Sequence, residues 1–435
     1  MERRPHFAAT APSDTRTNIQ LRPLDDESSG RLVNELLQKI DNVPPPLRRL
    51  VTERASGSPF FMEELIKMLV DEHVIEVGDE RWTVDTERLA EIPVPSTLTG
   101  VLQARIDRLP PAEKSALQLA SVVGMTFWDA ALAHVDASTP VALPGLQTRG
   151  LIALRQSPAA LSPDDDVREY GFAHQLLHQV VYDTVLKRVK RAAHERVADW
   201  MVHHAGPRTK SLVASAAEHY DRAGNQMRAA ELHAEAARYM AHLFANEAAL
   251  QHATRGLELA PEADTDLRWS LLRSRERMLE ILGRRDDQRR NLAMLRSLAD
   301  AAPAGTQGDA RRSEVAYLHA DFAHRTADRV TQEREARMAL SLAERAGSDV
   351  LALRAMQRLT QALAYQGNAA EGRDIAAAGF ARARELGLAA EISGLNNASR
   401  SAPTRSVTVS QGSAKACSIC TTTEKSAIGA TSGLH

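Results

Sequence analysis

Four stretches of this sequence look alike. Gly256-Leu257-Glu258-Leu259-Ala260-Pro261, Leu295–Ala301, Leu340–Gly347 and Phe380–Gly387 follow one another at intervals of about 40 residues. Repeats of that length are the mark of an α-solenoid, in which each helix pair buries its apolar face only against its neighbours. Composition points the same way. Aromatic residues make up only 4% of the chain, while Ala, Leu, Arg and Glu are abundant. That mixture forms helices and lacks the β-branched and aromatic residues that sheets prefer.

Within the second half, Ala249, Ala253, Gly256 and Pro261 fall at the small-residue and proline positions of a tetratricopeptide repeat. The observed period exceeds the usual ~34 residues, so variant repeats are expected over 206–400. Ahead of them the patterning changes. Residues 1–18 are polar and unpatterned, and Ile19–Leu24 alternates like a short strand that ends at Pro23. Leu32, Val33, Leu36, Leu37 and Ile40 then recur at helical steps, with Asp25 as N-cap. Pro44-Pro45-Pro46 and Gly57-Ser58-Pro59 punctuate two further helices, and Val74–Val77 with Arg81–Val84 predict a small hairpin. Residues 93–205 read as a second compact unit. It has helices near 97–108, 112–123 and 127–135, a segment Leu143–Gly150, and two extended pieces flanking Asp164-Asp165-Asp166, followed by two more helices. Helices around two short strands and a turn describe a winged-helix module. From 401 the chain is rich in Ser, Thr, Gly and Ala, and a disordered tail is expected.

The formal net charge is −2 with both signs mixed, so no overall field argues for nucleic acid or an anionic membrane. No apolar run is long enough to cross a bilayer, and Met1-Glu2-Arg3-Arg4-Pro5 has no apolar stretch behind it. Both cysteines, Cys417 and Cys420, lie in the tail, so no disulfide is expected in the body and a cytoplasmic protein is the expectation.

Several motifs in order resemble one family. Leu21-Arg22-Pro23-Leu24, Gly57-Ser58-Pro59-Phe60-Phe61-Met62-Glu63-Glu64-Leu65 and Val94-Pro95-Ser96-Thr97-Leu98 are similar to signalling NTPases of the AAA/STAND type. Leu102–Leu109, Ala120–Gly124, Phe172–Leu176, Ala217-Glu218-His219-Tyr220 and Ala223-Gly224 continue the match in family order. The resemblance implies an ATPase core followed by a helical lid, a winged helix and a repeat array, often behind a nucleotide cyclase domain. It implies a mainly α fold: last core strand and lid over 19–92, winged helix over 93–205, then tetratricopeptide-like helix pairs.

The sequence departs from that family at one point. A Walker A loop needs a Gly-Lys step to cradle and neutralise phosphates, and the chain contains no Gly-Lys dipeptide. The expectation is a chain that begins just after the catalytic core, with no catalytic residues, no metal site and no cofactor of its own. ATP or ADP with Mg²⁺ would belong to an intact parent. The resemblance marks Gly57 and Pro59 as a remnant of the Gly-x-Pro turn against adenine and ribose. It marks His174 as the winged-helix histidine facing the phosphates.

Plainer readings stand beside these. Gly57-Ser58-Pro59 also suits a plain turn between helices. Leu65–Glu72 imitates a Walker B strand but equally continues a helical face from Phe60. His178, one helical turn after His174, would suit a zinc pair, and no further ligand is indicated. Lys187-Arg188-Val189-Lys190-Arg191 is diluted by Glu195 and Asp199 and reads as a solvated face. Cys417-Ser418-Ile419-Cys420 has neither a second pair nor a βαβ context. Ser413–Gly429, read one nucleotide off frame with GC-rich codons, permits another repeat end, so the tail is expected to be a frameshift product.

Taken together, the residues predict a regulatory, protein-interaction portion of a cyclase-associated signal-transduction ATPase. Its repeats would take up a protein partner or a small inducer. The alternatives are a fragment of a STAND-type transcriptional regulator that has lost its DNA-binding output domain, or a free-standing repeat scaffold.

Overall fold

The computed structural model describes residues 22–155, 167–203 and 209–400. The chain divides into two compact units, Met1–Asn291 and Leu292–His435.

The first unit opens with α1 (Asp26–Leu36), α2 (Pro45–Ala55) and α3 (Pro59–Asp71), then a hairpin of β1 (Ile75–Val77) and β2 (Trp82–Val84), then α4 (Thr86–Glu91). Each boundary has a local cause. The Asp25 carboxylate accepts from Ser28 N at 2.7 Å, and prolines occupy the first positions of α2 and α3, where no N–H is needed. Val33, Leu37, Leu47, Val51, Met62, Leu65 and Leu69 are fully buried in one cluster, so these helices carry a core of their own. Arg22–Leu24, the described end of the expected leading strand, is irregular. Its Leu24 N–H donates to the Gly57 carbonyl at 2.8 Å instead of joining a sheet.

Next come α5 (Leu98–Asp107), α6 (Pro111–Val123), β3 (Thr126–Trp128), α7 (Asp129–Val135), α8 (Leu143–Thr148), β4 (Ile152–Leu154), β5 (Glu169–Phe172), α9 (Gln175–Thr184) and α10 (Lys187–His203). The strands form an antiparallel sheet in the order β3-β5-β4. The first of these strands thus lies beside the last, with α7 and α8 between β3 and β4 in the chain. One correction follows. Residues 126–128, expected at the start of a helix, are a strand. Phe127 is fully buried and stacks on Tyr170 of β5 with centroids 5.8 Å apart, and such cross-strand aromatic pairing is non-local.

The repeats begin within the same unit as α11 (Thr209–Ala223), α12 (Gln226–His242), α13 (Asn246–Leu259) and α14 (Thr265–Ile281). The boundary between units falls in α15 (Arg285–Asp300). The second unit holds α16 (Thr306–Arg325), α17 (Arg329–Arg345), α18 (Asp349–Tyr365), α19 (Ala369–Glu385) and α20 (Ala389–Arg400). The four look-alike stretches fall at the ends of alternate helices, α13, α15, α17 and α19. From α11 to α14 and from α16 to α20 each helix packs on the next, and α12 meets α14, α16 meets α18, and α18 meets α20. That is the stacking of tetratricopeptide-like pairs. Small residues allow the approach. Ala316, Ala320, Ala336 and Ala339 are fully buried between α16 and α17, and a Cβ on Gly256 would lie 2.7 Å from Leu271 Cδ2.

Seven repeat helices end in the same Schellman cap. In each, a residue one or two places past the helix is left-handed, its N–H donates three residues back, and the next N–H donates five back. Glycine fills five of these positions (Gly224, Gly283, Gly347, Gly367 and Gly387), whereas Phe244 and Ala327 adopt φ +58° and +62°. A side chain in that conformation costs about 1–2 kcal/mol. Ala327 is exposed and its cap is otherwise ordinary. Ala327→Gly should therefore raise the urea unfolding free energy of the second unit by about 0.5–1 kcal/mol, read by circular dichroism.

Candidate functional site

Gly57 lies where Ser56 (φ +46°) and Gly57 (φ +78°) turn the chain from α2 into α3. A Cβ there would sit 2.3 Å from the Leu24 carbonyl oxygen, so the turn needs glycine to hold the strand-like entry segment. Ser58 then caps α3 by accepting from Phe61 N, and Pro59 takes the first helical position with its ring exposed. The plain structural role of this turn is thus filled in full.

His174 caps α9. Its Nδ1 accepts from Leu176 N at 3.1 Å, which leaves the proton on Nε2. Its ring stacks on Phe60, the residue after Pro59, with centroids 3.8 Å apart and planes at 19°. The fold therefore brings two of the sequence candidates, the Gly57-Ser58-Pro59 turn and His174, to one junction between α3 and α9. His178 goes elsewhere: its Nε2 bonds the Ser121 carbonyl at 2.9 Å, and burial lowers its pKa. With His174 Nδ1 and His178 Nε2 so engaged, the two do not form a chelating pair. No cluster of three or more metal-ligand side chains occurs among the described residues.

The Walker-B-like Leu65–Glu72 is helical, and its carboxylates are ion-pair partners. Arg105 of α5 has a side chain only 3% exposed. Its guanidinium pairs with Glu64, with Asp71 at 2.9 Å, and donates to the Arg149 carbonyl at 3.1 Å. Glu64 also meets Lys67 at 2.9 Å, and Glu72 pairs with Arg108. A cavity of about 60 Å³ opens beside Asp71, Arg105, Arg108 and Arg149. It is far below the ~300 Å³ that a small-molecule site needs. Every arginine on it has a carboxylate partner, Arg149 through Glu113 at 2.9 Å. It is a joint, not a binding pocket. Sequence reasoning missed Arg105, although its spacing with Val101 and Leu102 already put it on the buried face of α5.

A second junction links α9 and α10 to the first repeat helix, α11. The Tyr182 hydroxyl and His194 Nε2 are 2.9 Å apart, and His194 Nδ1 lies 2.8 Å from His219 Nδ1. His219 also bonds the Val123 backbone. Of the two facing Nδ1 atoms one carries the proton and the other accepts it. Burial, with Arg222, Lys190 and the partner imidazole nearby, pushes His194 down to about 3; burial and Arg222 push His219 down to about 4. Lys190 lies over the Tyr182 ring at 4.0 Å. Along the basic run, Glu195 accepts from Asn225 and Asp199 from Tyr220, and none of the four cations pairs with a carboxylate among the described residues. Cys417 and Cys420 lie outside the described residues.

Comparison with known proteins adds the following. A family model described as a domain of unknown function (DUF8739) matches residues 25–82. The uncharacterized protein R02095 of Rhizobium meliloti (strain 1021) is 26% identical over 220 residues, which is 48% of this chain and 19% of that protein. The match thus spans about a fifth of that relative's length. Among solved structures, a Signal Transduction ATPase with Numerous Domains (STAND) protein with a tetratricopeptide repeat sensor, PH0952 from Pyrococcus horikoshii, aligns over 88% of this chain and 58% of its own, at 12% identity and a TM-score of 0.33. Aspartyl phosphate phosphatase F from Bacillus subtilis aligns over 88% and 81%, at 9% identity and a TM-score of 0.39. At these scores the fold assignment rests on the element order and packing above, not on the superpositions.

The histidine pair sets a pH dependence. Both folded pKa values lie below the unfolded value near 6.5, so the unfolded chain binds more protons as the pH falls below 6.5. The pair's contribution is complete above pH 6.5 and is lost as the pH drops toward 4. Urea unfolding of the first unit should lose on the order of 3 kcal/mol between pH 7 and 4, and His219→Asn should flatten that slope.

Proposed function

We propose that this chain is the regulatory and protein-interaction portion of a signal-transduction ATPase, of the cyclase-associated type, and is not itself a catalyst. The observation that carries the reading is the stack of His174 on Phe60, beside Gly57 and Pro59, at the junction of the α1–α4 helices with the winged helix. In the family that the motifs resemble, these are the elements that close over a bound nucleotide. The sequence supplies no Gly-Lys step for a phosphate loop, so these residues stand as nucleotide contacts whose phosphate-binding complement would come from an ATPase core.

On this reading the helical repeats take up a protein partner or small inducer. That ligand's differential affinity for two arrangements of the winged helix then gates an attached output. The runner-up, a fragment of a transcriptional regulator, shares the same parts. As a reader of DNA by its own winged helix the chain is poorly equipped: α8, in the recognition-helix position, is six residues long and carries no Lys or Arg. Calorimetry with ATP and ADP, each with Mg²⁺ up to about millimolar, tests the reading. No saturable binding and no hydrolysis are expected. Saturable binding lost on Pro59→Ala or His174→Ala would mean that a complete nucleotide site exists here, and would overturn it.

A further inference from the structure

Seven repeat helices end in the same left-handed cap, and one of them breaks the rule of a small residue there. At Phe244, between α12 and α13, a bulky aromatic adopts φ +58°. The conformation is made by the same pair of backbone bonds as in the glycine caps: Phe244 N–H to the Ala241 carbonyl at 3.1 Å, and Ala245 N–H to the Met240 carbonyl at 3.0 Å. A Cβ is strained in this region, so the ring must recover something for a phenylalanine to stand where glycine would serve. Within this chain it recovers little, because Phe244 is 87% exposed.

The ring does not stand alone. Leu243 is 55% exposed beside it, and Ile281 at the end of α14 is 52% exposed. The same end of these helices is knit together underneath. Met240 and Ala241 of α12, Ala249 and Leu250 of α13, and Met278, Leu279 and Leu282 around the end of α14 form one cluster. Arg284 bridges the two turns by a forked pair to Glu247, at 2.9 and 2.8 Å, with both side chains about half exposed. The acids that follow, Asp286 and Asp287, are balanced by Arg289 and Arg290.

We propose that this turn edge is a self-association surface, occupied by a second copy of the same chain. A twofold contact demands that one patch complement itself. An apolar tip flanked by one arginine and one glutamate does so: rotated onto its copy, Phe244 and Leu243 meet Phe244 and Leu243, while Arg284 and Glu247 exchange partners across the axis. The charges around the tip cancel locally, and the whole chain carries only −2, so no field of one sign opposes the approach. A partner selected by charge would need an excess of one sign at the edge, and none is present. Aromatic anchors with an arginine beside them are also what interface hot spots are made of. The inference does not depend on the nucleotide reading of the other junction.

Sedimentation velocity on the full chain between about 1 and 200 µM tests it. The expected result is a mass that rises toward twice that of the chain. Phe244→Gly removes the ring and the strain together, so the variant should remain monomeric throughout. Its melting temperature, taken at the dilute end, should be no lower than that of the natural chain. Glu247→Arg and Arg284→Glu should each weaken association at least tenfold, and the double reversal should restore it. A natural chain that stays monomeric to the highest concentration overturns the proposal and leaves the turn to a partner of another sequence. A dimer that persists in Phe244→Gly overturns it as well.

Discussion

A guanidinium buried to 3% exposure is the constraint around which the front of this molecule is arranged. Removing a charge from water costs several kcal/mol per ion, and a buried ion pair merely offsets that cost when its geometry and hydrogen bonds are complete. Arg105 meets the demand with carboxylates from α3, Glu64 and Asp71, and a carbonyl from the end of α8. The consequence is mechanical. Parting α3 from α5 would strand a buried cation and a buried anion at once, so these elements are expected to move together or not at all. The Phe60–His174 stack makes a further contact from the start of the same α3, to the cap of α9.

Behind the joint lie a second polar junction and then repeats whose bonding is itself periodic. His194 and His219 tie α10 to α11 by a hydrogen bond that requires at least one of the two facing ring nitrogens to stay unprotonated. Further along, arginines reach carboxylates about one repeat away: Arg255 to Asp221 and Arg284 to Glu247 in the first unit, Arg337 to Glu371 and Arg345 to Asp309 in the second. Where both partners are exposed, as in Arg284–Glu247 and Arg337–Glu371, such pairs contribute little each, ~0–1 kcal/mol, and alanine packing carries the stacking. Their regular spacing instead favours one register between neighbouring pairs.

What was legible in the sequence follows from the range of the forces involved. Helix starts were readable because Asp25, Ser58 and the prolines act on their own neighbours, and the repeat period was readable because each pair repeats one local solution. The β1–β2 hairpin was readable for the same reason. β3 was not, since Thr126-Phe127-Trp128 becomes a strand only through Glu169–Gly171, far along the chain. His174 and the Gly57-Ser58-Pro59 turn were picked out by resemblance, but that Phe60 would be the surface on which the imidazole rests was invisible. Arg105, His194 and His219 look like ordinary polar residues on amphipathic helices until their partners arrive from other elements.

The structural claim that lies under the Phe60–His174 junction is that α3 and α5 form one mechanical piece through Arg105. Hydrogen exchange of the Arg105→Met chain tests it directly. Glu64, left with only the partly exposed Lys67, and Asp71, left without its guanidinium, should together cost about 3–5 kcal/mol, so amides of α3 and α5 should lose at least a hundredfold in protection. Those of α16–α19 should stay as they are. Unchanged protection across α3 and α5 would mean that apolar packing alone holds the junction, and the account of a charge-locked lever would be wrong.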